Sequence, residues 1–511
     1  MTHWIIVPVV LPALMAPFIV AAARYDIVLQ RVFGIASSVA LLAVAIGLFV
    51  LASDGGIRPY KLGDWPAPFG IVLVLDRLSA LMLLLTAILA VVVAIYAAQG
   101  WDKRGRHFHA LFQFQLMGVN GAFLTGDVFN LFVFFEVLLI ASYGLMLHGA
   151  GARRITEGLK YVAINLAGST LFLFAVGLIY ALTGTLNMAD LAVKVGQVPP
   201  SDLALLRLGG ALLLIVFAIK GALVPLHLWL PGTYGAASPP VAAFFAIMTK
   251  VGAYAILRVY VLIFGGDAGA ASWLAEPYIL PAAAVTLLLG MIGVLASRTL
   301  TALAVYALVG SVGTLMLAVG LFDETATSAA LYYLIHSTLA GAALFLLADL
   351  VARRRGGAVD RLVAAPPFAQ LDLLAGLFFL AAIAAVGLPP LSGFIGKILI
   401  LEALLDAPHW VLLWSVVLVG SLIALIGFAR AGTVVFWKCE AEREGHTVTQ
   451  PSPDVAGICA VAVLVAGPVL LALFAGPTMS VMDATARQLF TPERYVEAVL
   501  GAGVDLAGVA P

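Results

Sequence analysis

The sequence predicts an all-α polytopic membrane protein with about fourteen transmembrane helices. Of its 511 residues, 63% are hydrophobic and 11% are charged, whereas soluble globular proteins carry about 45–50% apolar and about 25% charged residues. Apolar stretches of about 20 residues, the length that spans a bilayer, follow one another along the chain. Two of them are interrupted by prolines near a lysine. The composition therefore excludes a water-soluble fold.

The apolar stretches can be placed one by one along the chain. The first has no basic segment ahead of it, so we expect it to be retained as a span rather than removed as a signal. The connectors are short and polar, and none resembles a soluble domain. The predicted spans are centred near Ala13, Ala40, Leu85, Leu116, Leu138, Leu171, Leu213, Met248, Leu287, Leu308, Leu339, Leu388, Val417 and Val465.

Basic residues are divided unevenly between the two sets of connectors. The connectors after odd-numbered spans hold 16 of the 27 lysines and arginines, and the other connectors hold 8. In membrane proteins the excess of basic residues lies in the cytoplasmic loops. The count therefore predicts that the odd-numbered connectors are cytoplasmic and that both chain termini lie outside.

Other features of the composition exclude several classes of function. The formal net charge is zero, which gives no reason to expect nucleic acid as a partner. Cys439 and Cys459 are the only cysteines, and two isolated cysteines cannot ligate an iron–sulfur cluster or a four-ligand zinc. The sequence contains no nucleotide-binding fingerprint. We therefore expect no cofactor and no metal.

The seventh and twelfth spans are each expected to contain a broken helix. Proline removes an intrahelical hydrogen bond and kinks the helix. At membrane depth, irregular backbone persists only where it is buried in protein or lines a hydrated cavity. The predicted breaks lie at Pro225 in the seventh span and at Pro389, Pro390 and Gly393 in the twelfth.

The positions of these breaks predict an internal repeat. The seventh and twelfth spans are an odd number of spans apart, so the two broken helices run in opposite senses. This is typical of inverted-topology repeats in transporters. We expect three N-terminal helices in 1–108, a first five-helix repeat in 109–263, an inverted second five-helix repeat in 277–436, and a last helix with a tail in 455–511.

Five ionisable residues lie inside predicted spans, far from the membrane edges. Each lysine or acid at the bilayer centre costs about 2.5–3.5 kcal/mol on insertion scales. Such residues usually mark an ion or proton pathway. They are Glu136 in the fifth span, Lys220 in the seventh, Lys250 in the eighth, His336 in the eleventh and Lys397 in the twelfth.

These residues also have structural interpretations. Glu136 could form a purely structural ion pair, and His336 could bond a backbone carbonyl. However, three lysines and one acid exceed what structural pairing requires. Desolvation favours the neutral form of a buried lysine, and a nearby carboxylate favours the charged form. A relay is therefore expected in which Glu136 controls Lys220, while Lys250 and His336 connect it to Lys397.

Three further groups are less clearly assigned by the sequence. His227 follows Pro225 and could line a proton path or cap the broken helix. Arg258 lies near a span end, where its side chain could extend to the headgroups. Asp76 and Arg77 are expected to form a pair at the edge of a loop.

Four stretches carry a specific resemblance. They are GDVFNLFVFFEVLLIASYGLML (126–147), FAIKGALVPLHLWLPGTYGAASPPVAAFFAIMTKVGAYAILRV (217–259), YYLIHSTLAGAALFLLADL (332–350) and GLPPLSGFIGKILIL (387–401). Through them the chain resembles the antiporter-like family shared by Mrp-type multisubunit sodium/proton antiporters and the membrane arm of respiratory complex I. Within that family it is most similar to the D-type Mrp subunits, because it has glutamate at 136, lysine at 397 and no long C-terminal extension.

The resemblance implies fourteen spans, two inverted repeats and a hydrated central row of charged residues that carries protons. It also implies a secondary transporter subunit, not an enzyme, in the cytoplasmic membrane of a prokaryote. Its partners would be other membrane subunits of the antiporter, and its substrates protons and sodium or another monovalent cation.

Two other functions remain open at this point. The first is a proton-pumping subunit of a complex I-type NADH dehydrogenase or a membrane-bound hydrogenase, which would use the same relay. The second is a structural scaffold in which the buried charges only hold the spans together. A stand-alone solute carrier is disfavoured, because no polar cluster suits an organic substrate.

Overall fold

A computed structural model describes residues 2–438 and 454–501 of the chain. Cys439 lies outside these residues, and so does the end of the predicted C-terminal tail. The described part is predominantly helical, which confirms the predicted fold class of a multi-pass, all-α membrane protein.

Twenty α-helices make up most of the described chain. They are α1 (Val7–Ala22), α2 (Ile27–Ala52), α3 (Arg77–Ala97), α4 (Phe108–Leu124), α5 (Val128–Leu147), α6 (Ala152–Thr183), α7 (Met188–Lys194), α8 (Leu203–Gly221), α9 (Trp229–Ala236), α10 (Pro239–Phe245), α11 (Met248–Leu262), α12 (Glu276–Ala296), α13 (Leu300–Val319), α14 (Glu324–Ala352), α15 (Leu371–Val386), α16 (Ser392–Ala403), α17 (Trp410–Gly432), α18 (Val455–Leu473), α19 (Ala475–Leu489) and α20 (Pro492–Leu500).

Among the described residues, 12 helical segments are long and apolar enough to cross a membrane. Two of the predicted spans are not among them. The span predicted around Leu116 is α4, which has only 17 residues. The span predicted around Leu388 is divided at that point into α15 and α16. The second difference arises because two short helices in series cross the same depth as one long helix.

Polar residues at the span ends fix where several helices begin. Asp26 accepts hydrogen bonds from the backbone N–H groups of Val28 and Leu29 at the start of α2. Asp127 accepts one from Asn130 at the start of α5. Such side chains satisfy backbone donors that have no partner within the helix.

The helices are arranged as a buried centre with a lipid-exposed outer layer. Along an apolar stretch of 18 residues, every residue of the α10–α11 segment is buried, and 94% of those of α14 are. The corresponding share is 33% in α2, in α18 and in the segment that contains α1. The charged residues predicted in the eighth and eleventh spans therefore lie on the two most enclosed helical segments.

Two helices are interrupted within the membrane-spanning region. Helix α8 ends at Gly221, and a turn that contains Pro225 leads into α9. Helix α15 ends at Val386, and a turn that contains Pro389 and Pro390 leads into α16. At the second break Gly387 has a φ of 80°, a left-handed conformation that glycine adopts without strain at a helix C-terminus.

One end of the molecule, here called the ribbon face, carries both terminal segments. The strands β1 (Arg58–Lys61) and β2 (Val72–Leu75) pair there in antiparallel register, with Arg58 opposite Leu75. Gln488 of α19 donates a hydrogen bond to the carbonyl of Gly55 at 2.9 Å. It also accepts one from the backbone N–H of Arg77 at 2.8 Å. The other end of the molecule is called the opposite face.

The prediction that Asp76 and Arg77 form a pair with each other is wrong. Asp76 instead caps α3 and forms a buried ion pair with Arg258, with 2.6 Å between Oδ2 and the guanidinium. The Arg258 guanidinium also lies 5.4 Å from the centre of the Tyr495 ring. Arg258 therefore stays inside the protein at the ribbon face, because a carboxylate and an aromatic ring compensate its burial.

Candidate functional site

The five predicted relay residues lie on five different helices. Glu136 is on α5, Lys220 on α8, Lys250 on α11, His336 on α14 and Lys397 on α16. The four basic side chains are at most 7% exposed, and Glu136 is half-buried. Four titratable basic side chains are thus buried inside the protein.

Lys220 lies in the last turn of α8, beside the break. Its ammonium donates a hydrogen bond to Oδ1 of Asn165 at 2.9 Å and lies 5.7 Å from the centre of the Phe135 ring. A cavity of about 10 Å³ adjoins it, lined in part by Tyr161 and Trp229. A space of this size holds about one water molecule.

Glu136 does not contact Lys220 directly. Within the described residues no ion pair joins the two groups, although the electrostatic field of Glu136 reaches Lys220. Glu136 accepts a hydrogen bond from the hydroxyl of Ser169. Ser169 and Asn165 are one turn apart on α6, so one face of that helix contacts both the acid and the lysine.

Lys250 is completely buried on α11. In the described part of the chain its ammonium nitrogen has no hydrogen-bond partner. A side chain at Gly252, two residues further on, would place Cβ 2.5 Å from the backbone nitrogen of Gly221. Glycine is required there because α11 crosses the end of α8 in backbone contact, beside Lys220.

His336 lies where α14 meets the second break. Its Nδ1 is 2.9 Å from the hydroxyl of Ser392. A Cβ at Gly393 would lie 2.9 Å from the imidazole and 2.0 Å from the carbonyl oxygen of Ala384. Gly393 therefore allows the start of α16 to pack directly on the histidine. A second cavity, of about 20 Å³, lies beside the ring.

Lys397 reaches back from α16 to the end of α15. Its ammonium donates hydrogen bonds to the carbonyl of Val386 at 2.6 Å and to the hydroxyl of Ser421 at 2.8 Å. The last carbonyls of a helix have no intrahelical partner and carry partial negative charge. The broken helix itself thus supplies the ligand for this lysine.

The relay residues are linked electrostatically in two groups. The charges of Lys250 and Lys397 both reach His336, and that of Glu136 reaches Lys220. His227 is not joined to either group. It lies half-buried in the turn between α8 and α9, and its Nδ1 has no hydrogen-bond partner among the residues described.

A large cavity opens at the opposite face, beside α9 and the end of α14. Its volume is about 750 Å³, and its wall includes Arg153, Asp349, Tyr306 and Phe345. The cavity beside His336 is lined by Leu344 and by other residues adjacent to this wall. Helices α13 and α14 therefore contribute to the walls of both cavities.

The sequence reasoning missed the neutral polar residues that contact the predicted relay residues. These are Asn165 and Ser169 on α6, Ser392 on α16 and Ser421 on α17. The i, i+4 spacing of Asn165 and Ser169 in an apolar helix was a usable signal. Across 2–438 and 454–501, no group of three His, Cys, Asp or Glu side chains could hold a metal ion.

Comparison with known proteins gives a consistent assignment. Residues 125–424 match the family model described as NADH:quinone oxidoreductase/Mrp antiporter, transmembrane. The chain is 43% identical to the D-type subunit of a probable K⁺/H⁺ antiporter of Rhizobium meliloti, over 98% of each chain. It is 38% identical to the D-type subunit of the Na⁺/H⁺ antiporter of Alkalihalophilus pseudofirmus, over 98% of this chain and 100% of that one.

A solved structure agrees with the sequence relatives. A chain of the Mrp complex from Dietzia sp. DQ12-45-1b superposes with a TM-score of 0.86 at 30% identity, over 98% of this chain and 100% of that chain. The chain therefore belongs to the NADH:quinone oxidoreductase/Mrp antiporter transmembrane family, as a homologue of the D-type subunits of Mrp antiporters.

Proposed function

We propose that this chain is the proton-translocating subunit of a multisubunit antiporter that exchanges a monovalent cation for protons. The observation that carries the proposal is the unpartnered ammonium of Lys250 on a completely buried helix. A permanently charged lysine there would be very costly without a partner. A lysine that gains and loses a proton avoids that cost for part of each cycle. Lys220, His336 and Lys397 flank it.

The contacts of the flanking residues support the same conclusion. Lys220, His336 and Lys397 are held by neutral groups rather than by carboxylates. Neutral acceptors do not lock a lysine in its charged form as strongly as a carboxylate does. The small cavities beside Lys220 and His336 have room for single water molecules, which could bridge proton transfers.

We also infer the orientation and the internal symmetry from combined evidence. The basic connectors favour a cytoplasmic opposite face and an extracytoplasmic ribbon face, with both termini outside. In that orientation the large cavity would admit protons from the cytoplasm. The two broken helices support inverted five-helix repeats at 109–263 and 277–436. The proposed location is the cytoplasmic membrane of a bacterium, as suits relatives from bacteria.

The cation is proposed from the names of the relatives. One is named for K⁺ and another for Na⁺, so the exchanged ion belongs to the class of monovalent alkali cations. Both should be tested as the driving ion.

The first test is cation-driven dissipation of a proton gradient in everted vesicles. The chain is expressed with its neighbouring genes, and wild type is compared with Lys220→Ala at matched assembly. Lys194→Ala is the control, because Lys194 is half-exposed and pairs with Asp190 outside the relay. We expect dissipation driven by Na⁺ or K⁺ to be lost in Lys220→Ala and kept in the control.

Two results would contradict the proposal. If Lys220→Ala exchanged ions at the wild-type rate, the proposed relay would not be part of the transport path. A Lys220-dependent gradient built by NADH or hydrogen, without any effect of Na⁺ or K⁺, would favour the redox-pump alternative.

A second test separates the relay from a structural scaffold. Replacing a buried charge with an apolar residue of similar size is often neutral or stabilising. Lys250→Met should therefore abolish exchange while the thermal midpoint of the assembled complex stays equal or rises. If Lys250→Met lowered the midpoint and disrupted assembly, the lysine would have a structural role.

A further inference from the structure

A second large cavity lies at the opposite face, away from the relay. It occupies about 700 Å³ between the α1–α2 turn and the α3–α4 loop. Three of its lining residues, Arg24, Lys103 and Arg106, are permanently basic, and His107 lies beside them. This cluster is here called the basic cavity.

The acids near the basic cavity are already engaged. Both oxygens of Asp102 accept hydrogen bonds from Arg31, at 2.6 and 2.8 Å, and one lies 3.2 Å from His109. Burial would raise the pKa of Asp102, but these contacts hold it well below its usual range. Asp102 is therefore ionised and neutralised by Arg31 rather than by the cavity residues.

The three basic side chains have no acidic partner in the described part of the chain. Among the described residues, no carboxylate lies within ion-pair distance of Arg24, Lys103 or Arg106. The neighbouring Arg104 does not join them, because its guanidinium lies over the Trp101 ring at 3.7 Å. The cavity therefore concentrates positive charge without a counterion among the residues that the structure describes.

The basic cavity continues into an apolar helix surface. It lies at the ends of four helices, the level at which lipid headgroups meet a membrane protein. Val20 lines the cavity itself. On the adjoining outer faces of α1 and α2, Phe18 is 44% exposed, Val28 60% and Val32 54%. An amphiphile could place an anionic group in the cavity and its chains along these two helices.

We propose that the basic cavity binds the phosphate-bearing headgroup of an anionic phospholipid, with the acyl chains along α1 and α2. Basic pockets between helix ends are suited to such headgroups. A free phosphate ion would match the charge but would leave the adjoining apolar faces unused. The lipid is thus favoured because its headgroup would contact the basic cavity and its acyl chains would cover the apolar faces of α1 and α2.

The test uses the whole complex with its neighbouring subunits, purified in detergent and stripped of lipid. The cavity variant combines Arg24→Gln, Lys103→Gln and Arg106→Gln. The control variant combines Lys160→Gln, Arg298→Gln and Lys438→Gln, which removes the same charge from exposed positions near the opposite face. Native mass spectrometry at low salt follows the binding of phosphatidylglycerol, phosphatidylcholine and inorganic phosphate.

We expect phosphatidylglycerol to bind about a hundredfold more weakly to the cavity variant than to wild type. Each basic residue near an anionic headgroup contributes roughly a factor of five. The control variant should bind like wild type, and phosphatidylcholine should bind weakly to all three proteins. If the triple cavity variant fails to assemble, Lys103→Gln and Arg106→Gln alone should each weaken binding about fivefold.

Four outcomes would overturn the proposal. The first is equal binding of phosphatidylglycerol by wild type and the cavity variants. The second is phosphatidylcholine binding as tightly as phosphatidylglycerol. The third is inorganic phosphate competing with the lipid at equal concentration, which would assign the cavity to the free ion. The fourth is a segment of another subunit occupying the cavity in the assembled complex.

Discussion

The two broken helices hold their lysines in different ways. Lys220 precedes its break and is held by a side chain, that of Asn165, with Glu136 close enough to act electrostatically. Lys397 follows its break and is held by the backbone carbonyl of Val386, assisted by Ser421. Among the described residues, no carboxylate forms an ion pair with either lysine.

This difference indicates a division of roles between the two sites. The contacts of Lys220 come from side chains on other helices, so a small rotation of α5 or α6 would change them. The main contact of Lys397 comes from its own broken helix and is fixed by the backbone. We therefore expect Lys220 to be the adjustable site, whose contacts change during transport, and Lys397 to be the constant site, whose contacts do not.

The largest effect should come from a substitution that disrupts the packing at the second break. In Gly393→Ala the new methyl group would lie 2.0 Å from the carbonyl oxygen of Ala384, a contact that requires α16 to move away from His336. We expect exchange in everted vesicles to fall to background, with a lower thermal midpoint. Gly376→Ala on α15 is the control, because its methyl group would meet nothing within 4 Å. Wild-type exchange by Gly393→Ala would show that this packing is dispensable.

Removing the acid of the first site should have the next largest effect. Glu136→Gln keeps the shape of the side chain and its contact with Ser169 but removes the charge that acts on Lys220. We expect initial exchange rates to fall more than about tenfold, which corresponds to about 1.4 kcal/mol of lost interaction. The initial exchange rate of Ser169→Ala should fall about threefold at most, because the charge of Glu136 remains. If both variants behaved alike, the hydrogen bond rather than the charge would matter.

A matched pair of substitutions compares the two lysines directly. Asn165→Ala removes the described hydrogen-bond acceptor of Lys220, whereas Ser421→Ala leaves the Val386 carbonyl on Lys397. Hydrogen bonds to charged groups contribute about 1.5–3 kcal/mol. We expect about tenfold slower exchange for Asn165→Ala and about threefold or less for Ser421→Ala. Equal losses would remove the proposed distinction between an adjustable and a constant site.

The smallest effect should come from the turn between α8 and α9. His227 is only half-buried, and its Nδ1 has no hydrogen-bond partner among the described residues. We expect His227→Gln to exchange within about twofold of wild type at every pH tested. A pH profile displaced from that of wild type would instead place His227 on the proton path.

Composition and spacing were sufficient to predict the helical membrane fold, since they follow from the length and apolarity of each stretch. The charged residues of the spans were found for the same reason: each is conspicuous in an apolar run. The partners of those residues were not predictable. Asp76 meets Arg258 only because the fold brings the start of α3 close to the last turns of α11, and a local pattern cannot specify such a distant contact. Single polar residues such as Ser421 are too common in spans to stand out.

The contacts of Gln488 have a consequence for how the protein is made. This residue, close to the end of the chain, binds the backbone at Gly55 and Arg77, which are synthesised among the first spans. During translation the backbone groups on either side of the ribbon therefore have no protein partner in Gln488 until α19 has been made, and only water is available to them. A chain that is released before α19 is made leaves this surface incomplete.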